Sequence, residues 1–145
     1  ILASEDVGLA DPMALPLAIA AKEACEFVGQ PECELNLAHA VIYLATAPKS
    51  NSATTALGKV KQHIRDHAVQ SVPTWLQDSH SKVSRSQGQG EGYLYSHDYP
   101  EAVSGQDYML EPQSFYTAGL AGREKFISER LHYWRELKSQ IKTQT

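Results

Sequence analysis

The run DPMALPLAIAAKEACEFVGQPECELNLAHAVIYLATAP, residues 11–48, predicts two consecutive helices. Asp11 is a good cap for the first helix, and Pro12 suits its first position because the N–H that proline lacks has no partner there. Gly29 and Pro31 end this helix. A second helix opens at Pro31, and the proline that closes the run stops it.

Apolar residues occupy most of the circumference of both helices, and many of them are alanine. A helix that is apolar on all sides has to be covered on all sides, and a chain of 145 residues covers one such helix more easily than two. We therefore predict a buried pair of alanine-rich helices with surplus apolar surface, which indicates either self-association or a helical core. The candidate interface or core residues are Leu15, Ile19, Leu37, Val41 and Leu44.

The rest of the chain is helical at two places and irregular between them. Residues 51–68 predict an amphipathic surface helix, VPTWL at 72–76 a short helical turn, and SRSQGQGEG at 84–92 a flexible connector. Residues 93–116 hold five of the seven tyrosines without periodicity, and helical spacing returns over residues 119–142. The prediction is all-α, a compact helical domain with a long irregular, aromatic-rich connection before a C-terminal amphipathic helix.

The formal net charge of −4 conceals alternating blocks. Residues 1–48 carry seven acids and one base, and residues 49–87 carry two acids and six bases. Residues 88–122 carry five acids and no base, and residues 123–145 carry three acids and six bases. This pattern permits local contact with an anionic partner, but it lacks the high overall basicity of a dedicated nucleic-acid binder.

Cysteine usage predicts the cellular compartment of the chain. Cys25 and Cys33 are the only cysteines and form no CxxC, so we expect neither a disulfide framework nor a zinc site, and we expect a cytoplasmic location.

The apolar windows at 13–21 and 35–47 are shorter than the roughly 20 residues of a membrane span. The start ILASEDVG has no initiator Met and no basic region, which predicts a piece of a longer protein.

The predicted surface helix carries the candidate nucleic-acid contacts Lys59, Lys61 and Arg65. Their side chains can reach phosphates, although a charge run of this kind is more often the solvated face of a helix. His63 and His67 lie four residues apart on the same helix, a spacing that can place two imidazoles on one metal ion. No third ligand follows from the sequence, so we expect no metal site.

No catalytic motif stands out. His97 and Asp98 are adjacent, so in extended chain they point to opposite sides, and no serine or cysteine lies in a nucleophile motif. The phosphate-binding pattern GxxxxGK[ST] is absent from the sequence. We therefore expect no catalytic residue and no bound cofactor in this chain.

Four motifs together carry a family resemblance. ASEDVGLADPMAL, PECELNLAHAVIYLATAPKSN, VPTWLQDSH and YLYSHDYP occur in this order along the chain. In that order and at these separations they resemble the C-terminal region of the replication-associated recombination protein A family. These are AAA+ ATPases related to clamp loaders, also called maintenance-of-genome-stability proteins, and their eukaryotic relatives include the Werner-helicase-interacting ATPase.

The resemblance implies a function for the whole of residues 1–145. It implies a C-terminal helical domain that assembles the protein as a homotetramer, with the ATPase core and lid elsewhere in the parent. ATP and Mg²⁺ would bind to the parent, which would act as a DNA-dependent ATPase in replication-fork maintenance, recombination and repair, at the nucleoid in a bacterium. Its partners would be DNA and replication or recombination proteins. The alternative is that the domain itself contacts DNA or docks a replication partner.

The tyrosine-rich segment matches a family pattern, YxYxHDY, through Tyr93, Tyr95, His97, Asp98 and Tyr99. Tyrosines in an irregular segment supply a large contact area and a hydroxyl that can pair with the backbone, which suits a structural strap lying over helices. His97 and Asp98 would then tie down the backbone of the strap. The preceding GQGEG contains no lysine, which is a departure from the glycine- and lysine-containing stretch of the resembling family and argues against a phosphate-binding loop.

Overall fold

The computed structural model describes residues 1–144, of which a large share is helical, and residues 1–144 contain no strand. The all-α prediction is confirmed. The α-helices are α1 (Ala14–Val28), α2 (Glu34–Thr46), α3 (Ser52–Asp66), α4 (Lys82–Ser86) and α5 (Glu124–Gln144). A π-helical turn (Ala3–Val7) and four 3-10 turns complete the described elements: Gly8–Ala10, Thr74–Leu76, Ser96–Asp98 and Pro100–Ala102. In the described part of the chain, no helix has the length and apolarity needed to cross a bilayer.

The start of α1 differs slightly from the prediction. The helix begins at Ala14 rather than at Pro12. Asp11 nevertheless satisfies the free N–H groups there, because its Oδ1 accepts from the N–H of Met13 at 3.1 Å and its carbonyl accepts from Ala14 at 3.1 Å. Asp11 therefore acts at this helix start as the sequence predicts.

The start of α2 lies three residues later than predicted, at Glu34 instead of Pro31. The intervening residues form a hydrogen-bonded turn: the N–H of Cys33 donates to the carbonyl of Gly29 at 2.9 Å, and that of Glu34 to the carbonyl of Pro31 at 3.1 Å. Proline marks the turn between the helices here rather than the first helical residue.

The segment expected to be a flexible connector, residues 84–92, is ordered by hydrogen bonds. Its first three residues belong to α4, whose N-terminus is capped by Ser81, with Oγ accepting from the N–H of Ser84 at 2.9 Å. Further along, the N–H of Gly90 donates to the carbonyl of Thr74 at 2.8 Å. Glycine content indicated flexibility, but here glycines take positive φ values in tight turns.

Two compact units are present in the chain, and α3 and α5 each contribute to both. Unit 1 contains Ile1–Gln62 and Phe115–Glu129. Its core is small and consists largely of alanine and valine. The buried residues of the core cluster are Ala3, Val7 and Ala14, and the residues packed against them are Ala18, Tyr43, Leu44 and Ala47.

The prediction that α1 and α2 are a buried pair is wrong for the chain by itself. Of their residues, all of which the structure describes, Ala14 is buried in α1 and none is buried in α2. The two helices pack on each other, but the core they cover consists of small side chains. Their larger apolar residues consequently remain at the surface.

Unit 2 contains His63–Ser114 and the part of α5 from Arg130. Asp107 joins its segments: its carbonyl accepts from the indole N–H of Trp75 at 2.9 Å, and its carboxylate pairs with Lys138 at 2.9 Å and with Lys142 at 2.6 Å. These two lysines, on α5, place the pKa of Asp107 below its ordinary value, with Lys142 as the larger influence. The two ion pairs thus hold α5 against the irregular segment that contains Asp107.

Two neighbouring residues of unit 2, Glu101 and Ala102, have positive backbone φ values of 56°. This conformation costs a residue with a Cβ atom about 1 kcal/mol or more. We predict that Ala102→Gly raises the free energy of unfolding by about 0.5–1 kcal/mol, because glycine adopts this φ without strain. Thermal and urea unfolding followed by circular dichroism would measure the change.

The matched control is Ala38→Gly, at an exposed position inside α2. Glycine there should lower the stability by about 1 kcal/mol, because the helix loses a favourable residue. If the two substitutions destabilise equally, the strain at Ala102 does not exist.

Candidate functional site

The apolar surface of the α1–α2 pair is the most extensive feature for which unit 1 supplies no cover. Four of the five candidate interface or core residues are exposed there: Leu15 by 47%, Ile19 by 48%, Leu37 by 49% and Val41 by 65%. Leu44 instead packs against the core. In the single chain Leu44 therefore lies on the core side and the other four lie at the surface, and their role in an oligomer interface stays a prediction.

A groove of about 390 Å³ runs between α1 and α2. Four of the nine residues that line it are alanines. Six of the residues that line it are Leu17, Ala20, Ala21, Ala24, His39 and Ala40. An apolar groove with small residues at its floor can receive a large side chain, and it contains no arrangement of polar groups suited to catalysis.

A polar contact joins α2 to the segment before α1. The hydroxyl of Tyr43 on α2 donates to Oδ2 of Asp11, just before α1, at 2.6 Å. This hydrogen bond, with burial and the nearby negative charge, raises the pKa of Tyr43. Asp11 therefore both satisfies the start of α1 and fixes α2 beside it.

A buried carboxylate lies at the start of α5. Glu124 is fully buried, and it accepts from the hydroxyls of Ser50, Ser52 and Tyr116, the last at 2.9 Å. Burial alone would raise the pKa of Glu124, but these hydroxyls and the N–H of Gly119 stabilise the carboxylate and lower the pKa overall. Four donors fill the acceptor sites of an ionised carboxylate.

The composition of this cluster, two serines, a tyrosine and a glutamate, resembles that of a catalytic site, but its geometry is structural. Glu124 has no exposed surface that could meet a substrate. The pKa of Tyr116 is raised, first by burial and then by Glu124, so its hydroxyl stays protonated as a donor. The cluster holds segments together, and its carboxylate is closed to solvent.

The predicted strap lies at the surface of unit 2. Tyr93 and Tyr95 are about half exposed, and the ring of Tyr95 lies 5.1 Å from that of His97. The structure describes no side-chain hydrogen bond from His97 or Asp98, so their role in tying down this backbone stays a prediction.

Gln106 ties down the tyrosine segment. Its Oε1 accepts from the N–H of Leu94 at 3.1 Å, and its Nε2 donates to the carbonyl of Gly92 at 2.9 Å. The N–H of Tyr99 closes a local turn by donating to Ser96 at 3.1 Å. The tyrosine segment is therefore anchored from outside its own motif.

The basic residues of the two charge blocks have different surroundings. Lys59, Lys61 and Arg65 are all exposed on α3. Lys61 and Arg65 are four residues apart and share a side of the helix, whereas Lys59 is about 200° away from Lys61 around the axis. In the second block, by contrast, Lys138 and Lys142 are both paired with Asp107.

His63 on α3 and His67, the residue directly after α3, stack on each other and do not point toward a common metal position. The rings of His63 and His67 lie 4.3 Å apart at 18°, and Nδ1 of His67 is 3.2 Å from the carbonyl of His63. Among the residues that the structure describes, no group of three or more His, Cys, Asp or Glu is placed to hold a metal ion. Stacked imidazoles present faces to each other, not ring nitrogens to a common point.

Sequence reasoning missed the roles of Glu124, Gln106 and Asp107. Glu124 is one of three acids in its block, and an acid in the first turn of a helix is explained by the helix dipole alone. Gln106 and Asp107 lie in an irregular segment with no periodicity. Only the spacing of Lys138 and Lys142, four residues apart on one helix face, could have indicated a shared acidic partner.

Comparison with known proteins identifies relatives over nearly the whole chain. Residues 1–135 match the profile of a family described as MgsA AAA+ ATPase C terminal. The chain is 43% identical over 140 residues to an uncharacterized AAA domain-containing protein of Mycobacterium tuberculosis, which covers 94% of the chain and 31% of that relative. It is 38% identical over 146 residues to replication-associated recombination protein A of Coxiella burnetii, covering 98% of the chain and 33% of the relative.

A eukaryotic protein matches as well. The chain is 40% identical over 112 residues to ATPase WRNIP1 of Dictyostelium discoideum, which covers 77% of the chain and 13% of that relative. The chain thus spans about a third or less of the length of these three relatives.

The buried carboxylate generates a prediction for stability against pH. The pKa of Glu124 is lowered from its ordinary value of 4.5 on folding, so its contribution is present above that value and is lost as the pH falls toward the folded pKa. Glu124→Gln should lower the free energy of unfolding at pH 7 by about 1–3 kcal/mol, because the amide nitrogen cannot accept hydrogen bonds. The variant should also lose less stability than the wild type below about pH 5.

Urea unfolding at a series of pH values would measure both effects. Glu129→Gln, at an exposed position on α5, is the matched control and should leave the pH dependence unchanged. Parallel acid curves for the wild type and Glu124→Gln would contradict the role of the buried carboxylate.

Proposed function

The chain belongs to the MgsA AAA+ ATPase C-terminal family, and we propose that it joins the subunits of a replication-associated recombination ATPase into a homotetramer. The observation that carries this proposal is the exposed apolar surface of α1 and α2. Val41 and Ile42 on α2 are exposed by 65% and 64%, and Leu35 by 79%. Side chains of this size and exposure on one pair of helices are typical of a surface that another protein covers.

The total surface of the chain supports the same proposal. The chain exposes 10570 Å². Two separate compact proteins, each of half the mass of this chain, would together expose about 8,900 Å². The chain therefore exposes more surface than two separate compact proteins of the same total mass would expose. Assembly with further copies would remove part of this extra surface from water.

The chemistry of the parent ATPase belongs, in this proposal, outside the chain. The sequence has no GxxxxGK[ST] loop to hold the phosphates of ATP, so these residues do not fit an ATP–Mg²⁺ site. ATP and Mg²⁺ would bind in the remaining two thirds of a parent with the length of the relatives. The parent would act in the cytoplasm, at the nucleoid in a bacterium, with DNA and replication or recombination proteins as partners.

The first test is the mass of the 145-residue chain in solution. We predict a tetramer by light scattering coupled to size exclusion, at micromolar concentration and with no loss at high salt, because hydrophobic contacts are not screened as ion pairs are. A monomer at every concentration would contradict self-association, and a stable dimer would contradict the number of subunits only.

Two substitutions separate the interface from the core. Ile19→Glu should dissociate the assembly without loss of helix, because Ile19 is 48% exposed in the single chain. Leu44→Glu should instead destabilise unit 1, because Leu44 packs against the core and a charged side chain there would disrupt that packing. Mass and circular dichroism measured together on each variant would distinguish the two effects, and the reverse pattern would refute the assignment.

A second candidate function is contact with DNA, which the surroundings of Lys59 and Lys61 favour. Both side chains are exposed, and the structure describes no acid paired with either of them. Lysines without acidic partners are available to phosphates, in contrast to Lys138 and Lys142. Four copies in one assembly would add their weak contacts through effective concentration.

The test of this second function uses the full-length parent and forked or single-stranded DNA. Lys59→Glu combined with Lys61→Glu should weaken binding and reduce the slope of log affinity against log salt by about 2. Lys82→Glu combined with Lys125→Glu changes the net charge equally at other exposed sites and serves as the control. Equal weakening by both pairs would show a general charge effect rather than a contact.

A further inference from the structure

We propose that two copies of the chain pair symmetrically, with Phe27 of each copy filling the groove between α1 and α2 of the other. This inference rests on the proposed function of self-association and adds to it the residue that docks, the site that receives it and the symmetry of the contact. The occupant of the groove is a second copy of the chain.

Phe27 has the exposure expected of a docking residue. It lies in the last turn of α1 and is 92% exposed, more than any other phenylalanine, tyrosine or tryptophan among the described residues. Aromatic rings contribute strongly to interfaces because they bury a large area while losing little rotamer freedom.

The groove has the shape and chemistry to receive such a ring. Ala20, Ala24 and Ala40 leave space that larger residues would fill, and Leu17 supplies an apolar wall. The volume of about 390 Å³ is open to solvent along the helix pair. A groove lined in part by alanines is a complement to a protruding phenyl ring, and both belong to one chain.

The positions of ring and groove determine how two copies would meet. Ala20, Ala24 and Phe27 are spaced i, i+4 and i+7, so they lie on one face of α1. Along the helix axis, Phe27 is about 12 Å from the middle of the groove, at 1.5 Å per residue. Phe27 and the groove therefore lie on the same face of α1 and are displaced from each other along the helix axis.

A twofold axis that lies in the plane of the contact, perpendicular to the axis of α1, satisfies both contacts at once. It places α1 antiparallel to α1 of the partner, so that each Phe27 lies over the partner's groove, which is an isologous interface. A head-to-tail arrangement would fill one groove per contact and leave another open at each end. The self-complementary arrangement is therefore the one that closes.

The central experiment is photo-cross-linking in the 145-residue chain with benzoylphenylalanine at position 27. Chains carrying the photoreactive group are mixed with ¹⁵N-labelled wild-type chains, and cross-linked peptides are identified by mass spectrometry. The expected product joins position 27 to a labelled peptide from α1 or α2. Cross-links only to other elements, or only within one chain, would overturn the proposal.

Two substitutions test the contact from both sides. Phe27→Ala should raise the dissociation constant of the pair by at least about 100-fold, since two rings are lost per interface. Ala24→Trp should dissociate the pair by filling the groove. Val69→Ala, at a site 80% exposed in unit 2, is the control and should leave the constant unchanged.

Helix content measured by circular dichroism distinguishes dissociation of the pair from unfolding of the chain. The cross-linking experiment needs no destabilising substitution. If the wild-type chain is a monomer, the proposed function itself fails. If the wild type assembles but neither Phe27→Ala nor Ala24→Trp weakens it, only the Phe27 contact is overturned.

Discussion

The packing of unit 1 depends on one constraint, which is that a buried carboxylate must receive hydrogen bonds. Glu124 begins α5, and its hydrogen-bond donors come from residues 50–52 and 116–119, which are far apart in sequence. An unpaired carboxylate in this position would cost several kcal/mol, so these segments have to meet at the start of one helix. The backbone extends the same joint, because the N–H of Arg123 donates to the carbonyl of Ala10 at 2.7 Å.

This polar joint explains how unit 1 can have so small a core. Its buried side chains are mostly alanine and valine, which fill little volume and bury little apolar area. The large apolar side chains, such as Phe27 and Leu35, lie on the outer faces of α1 and α2 instead. Polar contacts thus join the segments of unit 1, and its large apolar side chains remain exposed.

The helices could be predicted from the sequence because their signals are local. Asp11 before α1, and the single apolar stripe of α3, act within one or two helical turns. The burial of Glu124 and the anchoring of the tyrosine segment by Gln106 could not be predicted, since both join residues separated by irregular chain. For the same reason, the sequence could not separate Leu44 from Val41, which are both apolar on one helix and differ only in what lies opposite.

The continuity of α3 and α5 has a consequence for how the chain unfolds. Each of these helices contributes residues to both units, so its ladder of backbone hydrogen bonds crosses the boundary. Because helix formation is cooperative, melting of one unit removes the neighbouring turns on which the helix in the other unit depends. Opening of α3 or α5 at one end is therefore expected to lower the protection of amide hydrogens in the neighbouring turns of the same helix.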